Sequence, residues 1–354
     1  MKAIRNITLL ATAIALVVAA MVGSQFAAAQ TQPAKSATAT PTPPIEEQEG
    51  VTKIDTEAVN VLFTAQDRDR RLLLTLKPAD FQIFENGQLQ QVSGFSRQVD
   101  LPLSLAILID TSMSQERTLP EEKMAAMSFL ESVVRPEKDE VSVISFTGES
   151  TLELGMTSNM TRLRRAIEGV RLSPQMGYIG GGVVVGTPGI NPNSASGATA
   201  VWDAIWVTSE EILGPAPEKT RRAIILLSDG VNTYGKKKLN DAVEAAQKAE
   251  AVIYCIGIGD NFTNGVDRGS LSKVAERTGG RAFFPRDEVD LRKAFQQIQE
   301  EMRSQYLVSY EPSNPALDGS YRTIEMKLVN AELQKQKVQL THRKGYFAKT
   351  EKKK

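Results

Sequence analysis

The sequence predicts an α/β fold: an open, mainly parallel sheet inserted into a β-sandwich-like domain formed by both flanks of the chain. Three observations carry this. From Leu103 to about Arg303, apolar runs of strand length alternate with amphipathic stretches of helical period. Two of those runs, Leu105–Ile109 and Ala223–Leu227, lead into an aspartate, Asp110 directly and Asp229 after Ser228. On either side of this block the helical period stops, and residues 51–99 and 305–348 read as short strands and turns.

Residues 1–29 read as a signal peptide. Lys2 and Arg5 precede an apolar stretch from Ile7 to Val22, and Ala27-Ala28-Ala29 offers a small-residue cleavage site. Cleavage is expected after Ala29, leaving no membrane span in the mature chain and an exported protein, periplasmic or secreted. An uncleaved anchor is the other reading, although at this length it would barely cross a bilayer. Residues 30–50, rich in Thr, Pro and Ala and then in Glu, form a linker that cannot bury a core.

In residues 51–99, Val59–Phe63, Leu72–Leu76 and Phe81–Phe84 read as strands, and Asn86-Gly87 is a strong hairpin signal before Val92–Phe95. So short a β segment does not close a core by itself, so it is expected to pair with 305–348. In the block 100–304, Thr118 and Glu121 suggest a capping box for a helix over Leu119–Val134, with Met124, Met127, Leu130 and Val134 on its inner face. Strands are expected at Val141–Phe146 and Leu152–Leu154, the latter an antiparallel edge, and a helix at Thr161–Val170. Residues 171–198 carry many glycines but no Gly-Lys-Ser/Thr and no GxGxxG opening a helix, which excludes a phosphate-binding loop. They read as an irregular surface insertion beside the site. A helix follows over Thr199–Leu213, with Val201, Ile205, Thr208 and Ile212 on one stripe. Then come the Ala223–Leu227 strand, a helix over Leu239–Ala251, a strand over Val252–Ile258, a helix over Leu271–Arg277 and a strand at Ala282–Phe284. A closing helix is marked by Leu291, Ala294, Ile298 and Met302. Gln305–Tyr310, Tyr321–Val329 and Val338–Arg343 read as strands of the second flank, and 349–354 is a basic tail.

Composition narrows the chemistry. Lys plus Arg is 42 and Asp plus Glu is 42, a balance that gives no electrostatic footprint for nucleic acid. With one cysteine, Cys255, and one histidine, His342, neither an intramolecular disulfide nor a Cys/His zinc site can form. Cys255 lies in an apolar run and reads as a buried thiol. Ser112 would need a base to act as a nucleophile, and His342 falls in the other domain, so the chain is not expected to be an enzyme.

Asp110, Ser112 and Ser114 follow the first buried strand at spacing i, i+2, i+4. One carboxylate and two hydroxyls are hard oxygen ligands suited to Mg²⁺ or Mn²⁺, and they are equally common turn formers. Gly197–Ile205 adds Thr199 at a helix entrance, and Leu226–Gly230 adds Asp229 at a strand exit. Together these segments resemble a von Willebrand factor A domain with its metal-ion-dependent adhesion site, over residues 103–303. The resemblance implies a doubly wound, Rossmann-like sheet and a Mg²⁺ or Mn²⁺ ion at Asp110, Ser112, Ser114, Thr199 and Asp229. Ser112, Ser114 and Thr199 would ligate directly, the aspartates partly through water. Ala198, where a second glycine is common, and the insertion before Thr199 depart from the pattern. Asp80–Gly87, Gln305–Tyr310 and Arg343–Phe347 resemble the flanks of secreted proteins of this family common in Acidobacteria. The function implied is an exported, metal-dependent adhesion or envelope-interaction module whose protein ligand presents an acidic side chain. A metal-independent scaffold of the cell envelope is the alternative, separated from it by the effect of Asp110→Ala on partner binding.

Overall fold

The computed structural model describes residues 58–97, 101–173, 178–179, 182–183, 198–217, 220–259 and 265–350. The signal and linker segments, most of the 171–198 insertion, Gly197 and Lys352–Lys354 lie outside the described residues.

The N-terminal flank supplies β1 (Val59–Gln66), β2 (Phe81–Glu85), β3 (Gln88–Gln90) and β4 (Val92–Arg97). The middle block runs β5 (Leu103–Asp110), α1 (Leu119–Val133), β6 (Glu140–Phe146), β7 (Ser150–Thr157) and α2 (Met160–Gly169). A two-residue ribbon, β8 (Tyr178–Ile179) with β9 (Gly182–Val183), precedes α3 (Val201–Val207). The block continues with β10 (Arg221–Ser228), α4 (Leu239–Lys248), β11 (Ala251–Gly257), α5 (Arg268–Thr278), β12 (Ala282–Phe283) and α6 (Glu288–Arg303). The C-terminal flank adds β13 (Tyr306–Tyr310), β14 (Tyr321–Leu328), α7 (Ala331–Lys335), β15 (Gln339–His342) and β16 (Gly345–Phe347).

The central sheet has the order β12-β11-β10-β5-β6-β7, parallel except for the edge strand β7. All eight residues of β5 are buried, because helices cover both faces. Side chains alternate between the two. Leu105, Ile107 and Ile109 pack with Phe129 and Leu130 of α1, Leu163 of α2 and Phe295 and Ile298 of α6. Ala106 and Leu108 pack with Val201 and Ile205 of α3, Val243 of α4 and Val274 of α5. The sheet is therefore doubly wound. The chain runs from β5 outward to β6, then returns to the other side of β5 as β10, and strand order reverses at β5/β10.

The flanks interleave in two antiparallel sheets, β15-β1-β13-β4 and β16-β14-β2-β3. Each C-terminal middle strand is zipped between partners: β13 between β1 and β4, and β14 between β2 and β16. Phe63, Phe81, Ile83, Tyr306, Ile324 and Met326 share the core between the sheets. The Asn86-Gly87 turn forms as read, with φ 48° and 80°. We propose that these strands are one folding unit, with the middle block inserted in it. Removing residues 305–354 should then unpair the 59–97 strands and expose their amides to hydrogen exchange. Full protection of those amides in the truncated protein would refute the pairing.

Several local readings change. Leu72–Leu76 is not a strand. Leu72 makes one bridge to Gln66 and Leu73 N donates to Ala65 O, after which the Tyr306 hydroxyl accepts from Leu76 N and donates to Leu73 O. The Val338–Arg343 run ends at His342, and the chain crosses to the other sheet as β16. Gly345 permits the crossing, since a Cβ there would lie 2.4 Å from Arg322 O. Thr118 forms no capping box; its hydroxyl donates instead to Gln115 Oε1 at 2.9 Å. On α1, Met127 and Leu130 are buried as expected, but Met124 is 59% exposed, and the buried face extends over Leu119, Glu122, Ala126, Phe129 and Val133. The expected Thr199–Leu213 helix changes to a π-turn over Thr208–Leu213, where Gly214 N donates to Ser209 O. The extra residue per turn puts Leu213 in the core in place of Ile212. Ala251 opens β11 rather than closing α4.

Candidate metal centre

Asp110 is the last residue of β5, and Asp229 follows the last residue of the adjacent parallel strand β10. Both stand at the carboxyl edge of the sheet, at the reversal of strand order where open α/β sheets bind ligands. Asp110 is fully buried and Asp229 is 5% exposed. The backbone N–H of Ser112 donates to Asp110 Oδ1 at 2.9 Å, and the Ser228 hydroxyl donates to Oδ2 at 2.6 Å. Val231 N donates to Asp229 Oδ1 at 2.9 Å.

After Asp110 the chain takes a 3₁₀ turn, Met113–Gln115. This brings the Ser112 and Ser114 hydroxyls to 2.9 Å from each other, and the Ser114 hydroxyl also acts on Asp229. Gln115, fully buried, holds the turn by donating to Ile258 O at 3.1 Å and to Ser114 Oγ at 3.4 Å. Asp110, Ser112, Ser114 and Asp229 thus converge. Thr199 is positioned by its backbone. Its N–H donates to Thr233 Oγ1 at 2.8 Å, and its carbonyl accepts from Thr233 and Tyr234 in the loop beyond Asp229. The next residue, Ala200, donates to Thr147 O past the end of β6. Thr199 therefore sits at the same edge, although no hydrogen bond joins its hydroxyl to the other four among the described residues.

Burial raises the Asp110 carboxyl to about 6, and the charge of Asp229 adds to that, against the hydrogen bonds from Ser228 and Ser112. Burial also raises Asp229, opposed by Val231 and Ser114. Sequence reasoning missed a third carboxyl. Glu122 of α1 is fully buried, and neither of its oxygens has a hydrogen-bond partner. Burial raises it to about 8, and the charges of Asp110 and Asp229 reinforce the shift. Its signal was a glutamate in the register of Leu119, Ala126 and Val133, hidden by assigning the inner face to Met124. Ser228 and Gln115 were also missed as supports of the site.

Among the described residues no ion pair reaches Asp110, Asp229 or Glu122, and no three Asp, Glu, His or Cys side chains converge closely enough to hold a metal. Hydroxyls must complete any cation site here. Two carboxylates with serine and threonine hydroxyls are the donor set that a hard divalent cation takes. His342 lies in the sandwich opposite Phe63, with Nδ1 2.7 Å from Arg343 O. Cys255 is buried in β11, which pushes its thiol upward.

These groups set a pH dependence for the metal-free protein. A carboxyl raised on folding stabilises the fold below its unfolded value and loses that contribution as pH rises through its folded value. Asp110 is spent by about pH 6, while Glu122 continues to about 8. His342, lowered by burial from 6.5 to about 4, acts the other way: its contribution is whole above 6.5 and falls as pH drops toward 4. In the presence of a chelator, urea unfolding should show stability declining from pH 6.5 to 8, with Glu122→Gln flattening the decline. A flat wild-type profile would contradict these assignments.

The von Willebrand factor type A domain profile matches residues 105–232 in one form and residues 190–299 in another. No curated protein matches the chain. Similar solved structures include proximal thread matrix protein 1 from the mussel byssus with zinc occupied MIDAS motif, 19% identical with TM-score 0.46. That match covers 61% of this chain and 49% of the mussel protein, about half its length. A von Willebrand factor type A protein from Catenulispora acidiphila is 14% identical, covers 77% of this chain and 74% of its own, and has TM-score 0.46. BatB from Bacteroides thetaiotaomicron is 20% identical over 57% of this chain and 98% of its own, with TM-score 0.41. The two overlapping profile matches together run from residue 105 to 299, across the doubly wound sheet and all five candidate residues, and the chain belongs to the von Willebrand factor type A domain family.

Proposed function

We propose that this protein is an exported interaction module whose Asp110, Ser112, Ser114, Thr199 and Asp229 hold Mg²⁺ or Mn²⁺, and that the ion engages an acidic side chain of a protein partner. The observation that supports this reading most is the pair of buried aspartates, without an ion pair among the described residues, beside clustered hydroxyls at the switch point of the sheet. Two carboxylates in a low-dielectric site repel each other, and a divalent cation relieves that repulsion. The bound ion would supply a Lewis-acidic position for an oxygen ligand. The chain's own groups hold the donors in place: Ser228 and Ser112 N–H orient Asp110, Val231 N–H orients Asp229, and Gln115 fixes the turn that carries both serines. Domains of this family are in general protein-interaction modules, which favours a macromolecular partner. Among the described residues no helix is long and apolar enough to cross a membrane.

The test is capture of partners from envelope extract on immobilised protein, with Mg²⁺ or with EDTA. Binding should require the cation and be lost with Asp110→Ala or Asp229→Ala. Capture that survives both EDTA and Asp110→Ala points instead to a metal-independent scaffold. Export is checked separately: the mature chain should begin at Gln30, and recovery of Met1 would refute cleavage.

A further inference from the structure

The loop that follows Asp229 runs back along α3, the helix that Thr199 leads into. It meets that segment at Thr199, Trp202, Asp203 and Trp206, spaced as one face of a helix. At Thr199 the contacts are the backbone bonds to Thr233 and Tyr234. Trp202 N donates to Asn232 Oδ1 at 3.3 Å. Asp203 holds the far end of the loop: Oδ1 accepts from Lys236 N and Oδ2 from Lys237 N, each at 3.1 Å. The Lys237 ammonium lies over the Trp206 ring, 3.7 Å from its centroid. The loop is shaped for this contact as well. Gly235 has φ 108°, and a Cβ there would lie 2.1 Å from Asp203 Oδ2, so glycine lets the loop close on the carboxylate. The packing of α3 does not need Asp203, since Val201, Ala204 and Ile205 fix the helix in the core.

We propose that Asp203 is a positioning residue of the metal centre: by clasping the end of this loop to α3, it keeps the Thr199 hydroxyl within reach of the ion that Asp229 binds. The inference rests on the metal-binding reading. Asp229 opens the loop and Thr199 is bonded to its middle, so the clasp sets the separation of two candidate ligands from distant parts of the chain. Among the described residues the Thr199 hydroxyl is hydrogen-bonded to none of the other four candidates, so its backbone contacts decide where it lies. Mg²⁺ demands near-octahedral geometry, and a ligand that drifts outward is lost rather than accommodated. Groups one step removed from metal ligands commonly change affinity by about 10–100-fold.

The experiment is calorimetric titration of the full mature chain with Mg²⁺ for wild type, Asp203→Ala, Asp203→Asn and Asn159→Ala. Asn159 is the control for lost stability. Its side chain accepts from Arg162 N at 3.0 Å to cap α2, just beyond Thr157, which pairs with Val141 at the amino end of β6, the opposite edge of the sheet. The expected result is that all variants stay folded by circular dichroism and that Asp203→Ala binds Mg²⁺ about 10-fold more weakly. Asp203→Asn, which keeps one acceptor oxygen for the loop, loses less, and Asn159→Ala binds as wild type does. If folded Asp203→Ala binds Mg²⁺ as wild type does, the proposal is overturned and the metal centre stands without it. An equal loss in Asp203→Asn also overturns it, since the missing charge and not the held loop would be the cause. An equal loss in Asn159→Ala overturns it too, because the effect would then be general instability. If wild type binds no Mg²⁺, the metal reading itself fails, and this inference with it. Should Asp203→Ala not fold, Gly235→Ala, which pushes the same carboxylate off the loop, takes its place under the same criteria.

Discussion

Arg322→Ala should destabilise the β-sandwich by about 3–5 kcal/mol, the range seen when one partner of a buried ion pair is removed. Arg322 and Glu85 are each 2% exposed at the side chain, 3.3 Å apart, in the sheet β16-β14-β2-β3. Glu85 Oε2 would keep the hydroxyls of Tyr310 and Tyr346, both donating at 2.9 Å, but its charge would lose its cation inside the core. Arg322 also donates to the carbonyls of Asn314 and Ala316, so the 311–320 connection would lose two of its contacts. The double replacement Glu85→Gln with Arg322→Met should recover part of the loss, because it removes both charges together while the amide oxygen can still accept from Tyr310 and Tyr346. Chemical unfolding of the three proteins measures this. A cost below about 1 kcal/mol for Arg322→Ala would place the pair with exposed salt bridges.

The second large effect concerns the metal centre. A cation that binds only the folded chain stabilises it by about 2.7 kcal/mol at roughly a hundredfold excess over its dissociation constant. Saturating Mg²⁺ should therefore raise the melting temperature, and Asp110→Ala or Asp229→Ala should abolish the rise. Ser112→Ala should diminish it less, since water can replace a neutral hydroxyl. Without metal, Asp110→Ala has two opposed effects. It relieves the repulsion with Asp229, and it leaves Ser228 Oγ and Ser112 N without their acceptor. The metal-free variant should accordingly stay folded, and the difference should emerge only on adding Mg²⁺. A rise that persists in both aspartate variants would place the cation elsewhere.

Much of the fold was legible because its signals are local and strong. β5 and β10 are runs too apolar to face water, and each ends abruptly at polar residues, so both the doubly covered sheet and its functional edge follow from periodicity. Asn86-Gly87 announces its hairpin because few other pairs tolerate two positive φ angles. What the sequence hid depends on contacts distant along the chain. Leu72–Leu76 has strand composition, yet the Tyr306 hydroxyl, about 230 residues away, takes its backbone groups. The π-turn at Thr208–Leu213 shifts the helix stripe by one residue without a compositional mark. Asp110, Ser112, Ser114 and Asp229 were readable as a constellation because each leaves a strand end or an adjoining turn. Glu122 was not, because Met124, which is exposed, offered together with buried Met127 an equally good apolar face.

The most direct test of the account is a calorimetric titration of the wild-type mature chain with Mg²⁺ after removal of divalent ions. The account predicts a single saturable site whose heat disappears in Asp110→Ala, while circular dichroism shows the fold retained. Absence of any divalent-metal binding at millimolar concentration, with the protein folded, would contradict it and leave the two buried aspartates as purely structural groups.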